Sequence, residues 1–218
     1  MKKPVSKTQK ALNLWAIILI VWSIYRANFH MPDWFDEIIA KPLIFVIPVY
    51  YYITKIDKDK FLSAINFKPK SVFKDIFIGL AIGFIFIISA LAANYLKTNK
   101  PAFSIQSISI SRILIICLLA LATGISEEIL SRGFVLKKLY EESKNIITSS
   151  FFASILFFFL HVPMLFTNLK ITGNLLLMFM ATDIALSLSL SFLFLARGSI
   201  LLPILIHAFY NIVIALFI

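Results

Sequence analysis

Six side chains able to do chemistry lie inside long apolar runs of the sequence. They are Glu127, Glu128, Arg132, His161, His207 and Asn211. An ionisable group in a membrane helix costs at least about 2.5 kcal/mol by insertion scales, so each one requires a partner or a function. A carboxylate, two imidazoles and a carboxamide can activate a water molecule and stabilise an oxyanion. The sequence therefore predicts hydrolysis inside a membrane.

The first cluster contains two adjacent carboxylates that point in different directions. Glu128 and Arg132 are four residues apart and share a helical face, whereas Glu127 is rotated by about 100° from Glu128. We expect Arg132 to hold Glu128, which leaves Glu127 as a general base. The alternative is a cytoplasmic helix end formed by all three, which the apolar residues before Lys137 disfavour.

The last apolar run carries His207 and Asn211 on one helical face. Both can donate hydrogen bonds to a carbonyl oxygen that becomes negative under attack. Taken alone, the pair is more typical of polar contacts that hold membrane helices together. Serine catalysis lacks a signal, because Ser126 and Ser131 are not part of a GxSxG motif.

A metal site is the alternative use of the same groups. Glu127, His161 and His207 would supply one oxygen and two nitrogens, which is a ligand set known from catalytic zinc sites. The sequence has no HExxH motif. We therefore expect that no cofactor is required, with one zinc ion on these three residues as the alternative.

The composition indicates an integral membrane protein. Of 218 residues, 60% are hydrophobic and only 15% are charged, and the mean hydropathy is +0.92. The net charge of +10 fits loops that face an anionic leaflet, so no nucleic-acid partner is expected. The single cysteine, Cys117, excludes a disulfide within the chain.

Apolar runs of about 20 residues predict an all-α polytopic transmembrane helix bundle. We predict about seven spans, within a range of six to eight. They lie near Ala11 to Asn28, Ile38 to Thr54, Val72 to Leu96, Ile113 to Val135, Ile146 to Phe166, Leu175 to Leu195 and Ser199 to Ile218. The second is the least regular, because Lys41, Pro42 and Pro48 interrupt it.

All six candidate residues fall in the last four predicted spans. We interpret residues 1–218 as one membrane domain, with N-terminal spans of variable type in 1–107 and a catalytic core in 108–218. No internal repeat is evident.

Loop charges orient the predicted bundle. The basic N-terminus, the Lys55 to Lys74 connection and the Lys137 to Lys144 connection belong in the cytoplasm, and the acidic His30 to Glu37 connection belongs outside. This places the N-terminus inside the cell and the C-terminus outside. We also expect a water-filled cavity open toward the cytoplasm.

The predicted span ends create a mismatch in depth. Glu127 would lie about 13–15 Å from the cytoplasmic end, but His161 about 20 Å or more. Helix tilt, or a fifth span that begins after Ile146, would bring the two side chains together.

In order and spacing, the motifs resemble those of the CAAX-protease and bacteriocin-processing (CPBP, Abi) family. The matching motifs are Glu127-Glu128-x-x-x-Arg132, Phe157-x-x-x-His161 and His207-x-x-x-Asn211, and the resemblance covers about Gly124 to Asn211. It implies a glutamate-type intramembrane protease. Glu127 and His161 would activate water, His207 and Asn211 would form the oxyanion hole, and Glu128 and Arg132 would support them.

The resemblance further implies a membrane-associated protein or peptide substrate, and a role in bacteriocin immunity or peptide maturation. Membrane lipids are the other expected partner, while the substrate-binding residues and oligomeric state are unknown. One alternative is a non-enzymatic membrane immunity or regulatory protein, whose polar groups only join helices. A small transporter is a further alternative, but the sequence lacks an inverted repeat.

Overall fold

The computed structural model describes residues 5–99, 109–167 and 172–217, without the side chains of 165–167. All regular structure in this part of the chain is helical. The helices are α1 (Lys7–Asn28), α2 (Asp33–Ile56), α3 (Phe61–Ala64), α4 (Val72–Thr98), α5 (Ile110–Ser143), α6 (Ile146–Thr167), α7 (Gly173–Arg197) and α8 (Leu201–Phe217). The predicted domain division at residues 107 and 108 lies outside the described ranges.

The helices confirm the predicted polytopic bundle. Six are long and apolar enough to cross a membrane, and α8 is a shorter apolar helix. These seven correspond to the seven predicted spans.

The irregular second span forms one continuous helix, α2, with π-helical turns at Asp36–Ala40, Pro42–Val46 and Tyr52–Ile56. Proline removes a backbone donor, and the wider π-helical turns accommodate that loss. Lys41 lies between two of these turns and is buried, with 5% of its surface exposed.

The fourth span is longer than predicted. Helix α5 continues past Val135 to Ser143, and all eight residues of its π-helical part, Ile129–Leu136, are buried. Glu127 therefore lies about 24 Å from the end of α5, while His161 lies about 22 Å from the start of α6. The depth mismatch disappears although α6 begins at Ile146, because the predicted end of the fourth span was wrong.

Helix α8 packs against α4, α5 and α7, and α6 packs against α1 and α7. At Gly124 of α5, an added Cβ would lie only 3.0 Å from the carbonyl oxygen of Ile204 of α8. A glycine here allows the two backbones to approach closely. The approach brings Glu127 on α5 beside His207 on α8.

Candidate active site

Glu127 lies between the two core histidines. Its Oε2 atom is 3.4 Å from His161 Nε2 and 3.7 Å from His207 Nε2. Glu127 is 3% exposed, and its Oε2 has no hydrogen-bond partner among the described residues. Three helices, α5, α6 and α8, thus direct one carboxylate oxygen and two imidazole nitrogens toward one point.

Glu128 fixes the orientation of His207. Its Oε1 atom accepts hydrogen bonds from Arg132 Nη1 at 2.7 Å and from His207 Nδ1 at 2.9 Å. A carboxylate paired with a guanidinium only accepts hydrogen bonds, so His207 carries a proton on Nδ1. Its Nε2 atom consequently faces Glu127.

Arg132 is anchored on the side away from Glu128. Its Nη2 atom donates to Ser187 Oγ at 2.8 Å and to the Ser187 carbonyl at 3.0 Å. The guanidinium carbon lies 4.4 Å from the centre of the Phe157 ring. The ion pair expected from the spacing of Glu128 and Arg132 is therefore present and buried.

His161 is oriented by its own helix and by α7. Its Nδ1 atom donates to the Phe157 carbonyl at 3.2 Å and lies 3.5 Å from Asp183 Oδ2. The Phe157 ring packs against the imidazoles of both His161 and His207. The Nε2 atom of His161 is thereby directed at Glu127.

Lys41 of α2 is a site residue that the sequence reasoning missed. Its Nζ atom lies 2.8 Å from Glu127 Oε1 and 2.6 Å from Glu37 Oε2, and Glu37 also accepts a hydrogen bond from Thr123. From the sequence, Lys41 is interpreted only as an interruption of the second span. The signal was available, because a lysine within an apolar run requires a buried partner.

Glu127, His161 and His207 form the floor of a cavity of about 360 Å³. The polar lining residues are Asp33, Glu37, Lys41, Thr123, Glu127, His161, Asp183, His207, Tyr210 and Asn211. Apolar residues complete the walls, among them Ile116, Leu119, Met164 and Ile214. Asn211 lines this cavity one helical turn after His207.

The cavity extends toward the end of the bundle where α1 terminates. From Glu127 it follows α5 toward the start of that helix, through Thr123 and Leu119 to Ile116. It reaches the exposed residues Asp33, at the start of α2, and Ala215, near the end of α8. The buried π-helical part of α5 fills the opposite side, where α1 begins. If the N-terminus is cytoplasmic as predicted, this direction does not agree with the expected opening toward the cytoplasm.

A metal ion at this site would have to share Glu127 with Lys41. Within the described ranges, no group of three or more His, Cys, Asp or Glu side chains is placed to hold a metal ion. The ammonium group of Lys41 is already bound to Oε1 of Glu127, where it competes with any cation.

One family model matches the chain. It describes the type II CAAX prenyl endopeptidases of Rce1-like type and covers residues 109–213, which include every motif of the site. No curated protein and no solved structure matches the chain. At the level of the family, the match supports a CAAX-type membrane endopeptidase. Residues 109–213 therefore carry the Rce1-like family signature, which confirms the resemblance to CAAX-type proteases.

Proposed function

We propose that this protein is an intramembrane endopeptidase that hydrolyses a peptide bond of a membrane-associated protein or peptide. The observation that carries the proposal is the buried Oε2 atom of Glu127, which faces the Nε2 atoms of His161 and His207 at the floor of a cavity. The Rce1-like match supports the same class of reaction.

In this mechanism Glu127 and His161 activate the attacking water. Because His161 donates its Nδ1 proton to the Phe157 carbonyl, its Nε2 atom is available for proton transfer. Glu127, assisted by His161, removes one proton from water, and the hydroxide adds to the scissile carbonyl carbon. The proton then passes to the leaving amine as the C–N bond breaks.

His207 and Asn211 stabilise the oxyanion that forms on the carbonyl oxygen. With Nδ1 held by Glu128, His207 presents Nε2 to the oxyanion and stabilises it there. Asn211, one turn away on α8, supplies the second donor from its carboxamide. Glu128 and Arg132 act through His207 and do not contact the substrate.

The reaction requires no metal ion in this proposal. Lys41 supplies the positive charge beside Glu127. If a chelator abolished activity, the zinc alternative on Glu127, His161 and His207 would replace the present mechanism.

We further propose that the protein lies in the cell membrane with its lysine-rich loops in the cytoplasm, the N-terminus inside and the C-terminus outside. Its partners are lipids and the substrate, without nucleic acid. A role in bacteriocin immunity or peptide maturation is consistent with this setting. A transporter gains no support, because the cavity ends at a floor above eight consecutive buried residues.

The test is cleavage of a membrane-peptide library by the purified protein in lipid. Wild type is compared with Glu127→Gln, and Glu141→Gln serves as a matched control because Glu141 is exposed at the end of α5. The proposal predicts cleavage by wild type and Glu141→Gln and none by Glu127→Gln. Equal cleavage by all three would refute the role of Glu127, and no cleavage by wild type would favour the non-enzymatic alternative.

A further inference from the structure

The two ends of the helix bundle carry different charges. We define the basic end as the end where α1, α6 and α8 begin and where α2 and α5 terminate. Its described basic residues are Lys7, Lys10, Lys55, Lys58, Lys60, Lys68, Lys70, Lys74, Lys137, Lys138, Lys144 and Arg197. Lysine- and arginine-rich loops stay in the cytoplasm, so the basic end faces the cytoplasm.

The opposite end carries a more balanced set of charges. Among the described residues, Asp33, Asp36 and Glu37 lie there with Arg26, Lys97 and Arg112. Asp36 neutralises Arg26 through an ion pair. This end therefore has no comparable basic excess and faces away from the cytoplasm.

The basic end is closed below the active site. On that side of Glu127, the chain from Ile129 to Leu136 is completely buried. At Gly133, a Cβ atom would lie 3.0 Å from both Ile65 and Ile200, which shows that the connection before α4 and the start of α8 pack tightly against α5. Among the described residues, a small pocket of about 30 Å³ reaches Gly133 and Phe134 from the basic end, but it shares no lining residue with the cavity at Glu127.

The cavity instead opens at the opposite end. It runs about 16 Å along α5 from Glu127 to Ile116. The exposed residues Asp33 and Ala215 lie at its mouth. Most of its lining surface is apolar, with Glu127, His161 and His207 at the floor and Asp33 at the mouth. This arrangement suits an extended apolar peptide whose backbone carbonyl reaches Glu127.

From these observations we infer that the substrate enters the active site from the non-cytoplasmic side of the membrane. The substrate class is then a membrane-associated peptide, or a membrane protein, whose scissile segment is exposed on that side. This inference rests on the proposed function for its substrate, but the direction of access rests only on the cavity and the loop charges.

The direction of access can be measured without turnover. In a Cys117→Ala background, Ala215→Cys and Asp33→Cys each place a thiol at the mouth, and Ser63→Cys places one on an exposed position at the basic end. Right-side-out and inside-out membrane vesicles are treated with a membrane-impermeant maleimide. The two mouth variants should react in right-side-out vesicles, and Ser63→Cys only in inside-out vesicles.

Three outcomes would overturn the inference. The mouth and basic-end thiols could be labelled from the same face, both mouth variants could be labelled only in inside-out vesicles, or the mouth thiols could be unreactive in both preparations.

A second experiment uses any library peptide that wild type cleaves, supplied in a membrane-impermeant form to oriented proteoliposomes. Product should form when the peptide is added at the mouth side and not when it is added at the basic end. If wild type shows the predicted labelling pattern but cleaves no peptide, the proposed function is refuted while the direction of access is retained.

Discussion

The ammonium group of Lys41 lies 2.8 Å from Oε1 of Glu127, in a contact buried from both sides. It joins α2, which lies outside residues 109–213, to the carboxylate at the centre of the family-matched core. With Oε1 bound by Lys41, the other oxygen of Glu127 is directed toward His161 and His207. Helix α2, one of the N-terminal spans, therefore contributes to the site as well as to the bundle.

Replacing Lys41 tests this positioning role. Lys41→Met should lower kcat about tenfold or more with a smaller change in KM, because Glu127 loses the charge that orients it. It should also destabilise the protein by about 3–5 kcal/mol, since the buried Glu127 and the partly buried Glu37 are left without a cation. Lys55→Met, on the exposed end of α2, is the control for a lost lysine.

Lys41→Arg tests whether Glu127 requires a positive charge at this position, because the substitution keeps a cation beside Glu127. It should recover most of the stability and part of the kcat. Wild-type kcat in Lys41→Met would show that Lys41 is only structural. The measurements are steady-state cleavage and thermal unfolding in detergent.

The oxyanion role of Asn211 predicts a loss in kcat without a loss in stability. Asn211→Ala should lower kcat by about 10²–10³-fold, which is typical for removal of one oxyanion donor. Thermal unfolding should change little, because Asn211 is only half-buried on the cavity wall. Asn174→Ala, at an exposed position at the start of α7, controls for loss of an amide; an unchanged kcat in Asn211→Ala would remove Asn211 from the mechanism.

Glu128 and Arg132 offer a test that separates stability from activity. Arg132→Leu alone should destabilise the protein by about 3–5 kcal/mol, because Glu128 remains as a buried charge. The double variant Glu128→Leu/Arg132→Leu should be more stable than Arg132→Leu, as neither charge remains. The double variant should nevertheless be inactive, because His207 has lost the acceptor that orients its ring.

This pair is measured by thermal unfolding and cleavage of the same preparations. Activity of the double variant close to wild type would show that Glu128 does not orient His207. An Arg132→Leu protein as stable as wild type would show that the buried ion pair is not formed in the membrane.

Metal dependence is tested by prolonged treatment with a zinc chelator before the cleavage assay. Activity should be unchanged, because Lys41 occupies the side of Glu127 that a cation would approach. A chelator-dependent loss that added Zn²⁺ restores would contradict the metal-free mechanism. Glu127→Gln treated in parallel shows the background rate.

Much of the arrangement follows from short-range spacing. Side chains four residues apart on a helix share a face, so Glu128 with Arg132 and His207 with Asn211 could be paired from the sequence. The apolar runs predicted the bundle because each crossing requires about 20 residues. Both rules act within a single helix.

Relationships between helices were not predictable in the same way. Lys41 reaches Glu127 from a span with π-helical turns, and the turn at Asp36–Ala40 changes the helical register immediately before Lys41. The π-helical part of α5 extended that helix beyond its predicted end and closed the basic end of the bundle. The side on which the cavity opens depends on this packing, which hydropathy does not report.

The proposed mechanism requires Glu127 to activate a water molecule for peptide hydrolysis. We would measure it by mass spectrometry of single-turnover products formed in H₂¹⁸O by wild type and Glu127→Gln. Wild type should place one ¹⁸O atom in the newly formed carboxyl terminus, and Glu127→Gln should form no product. An ¹⁸O-labelled product formed by Glu127→Gln at the wild-type rate would contradict it.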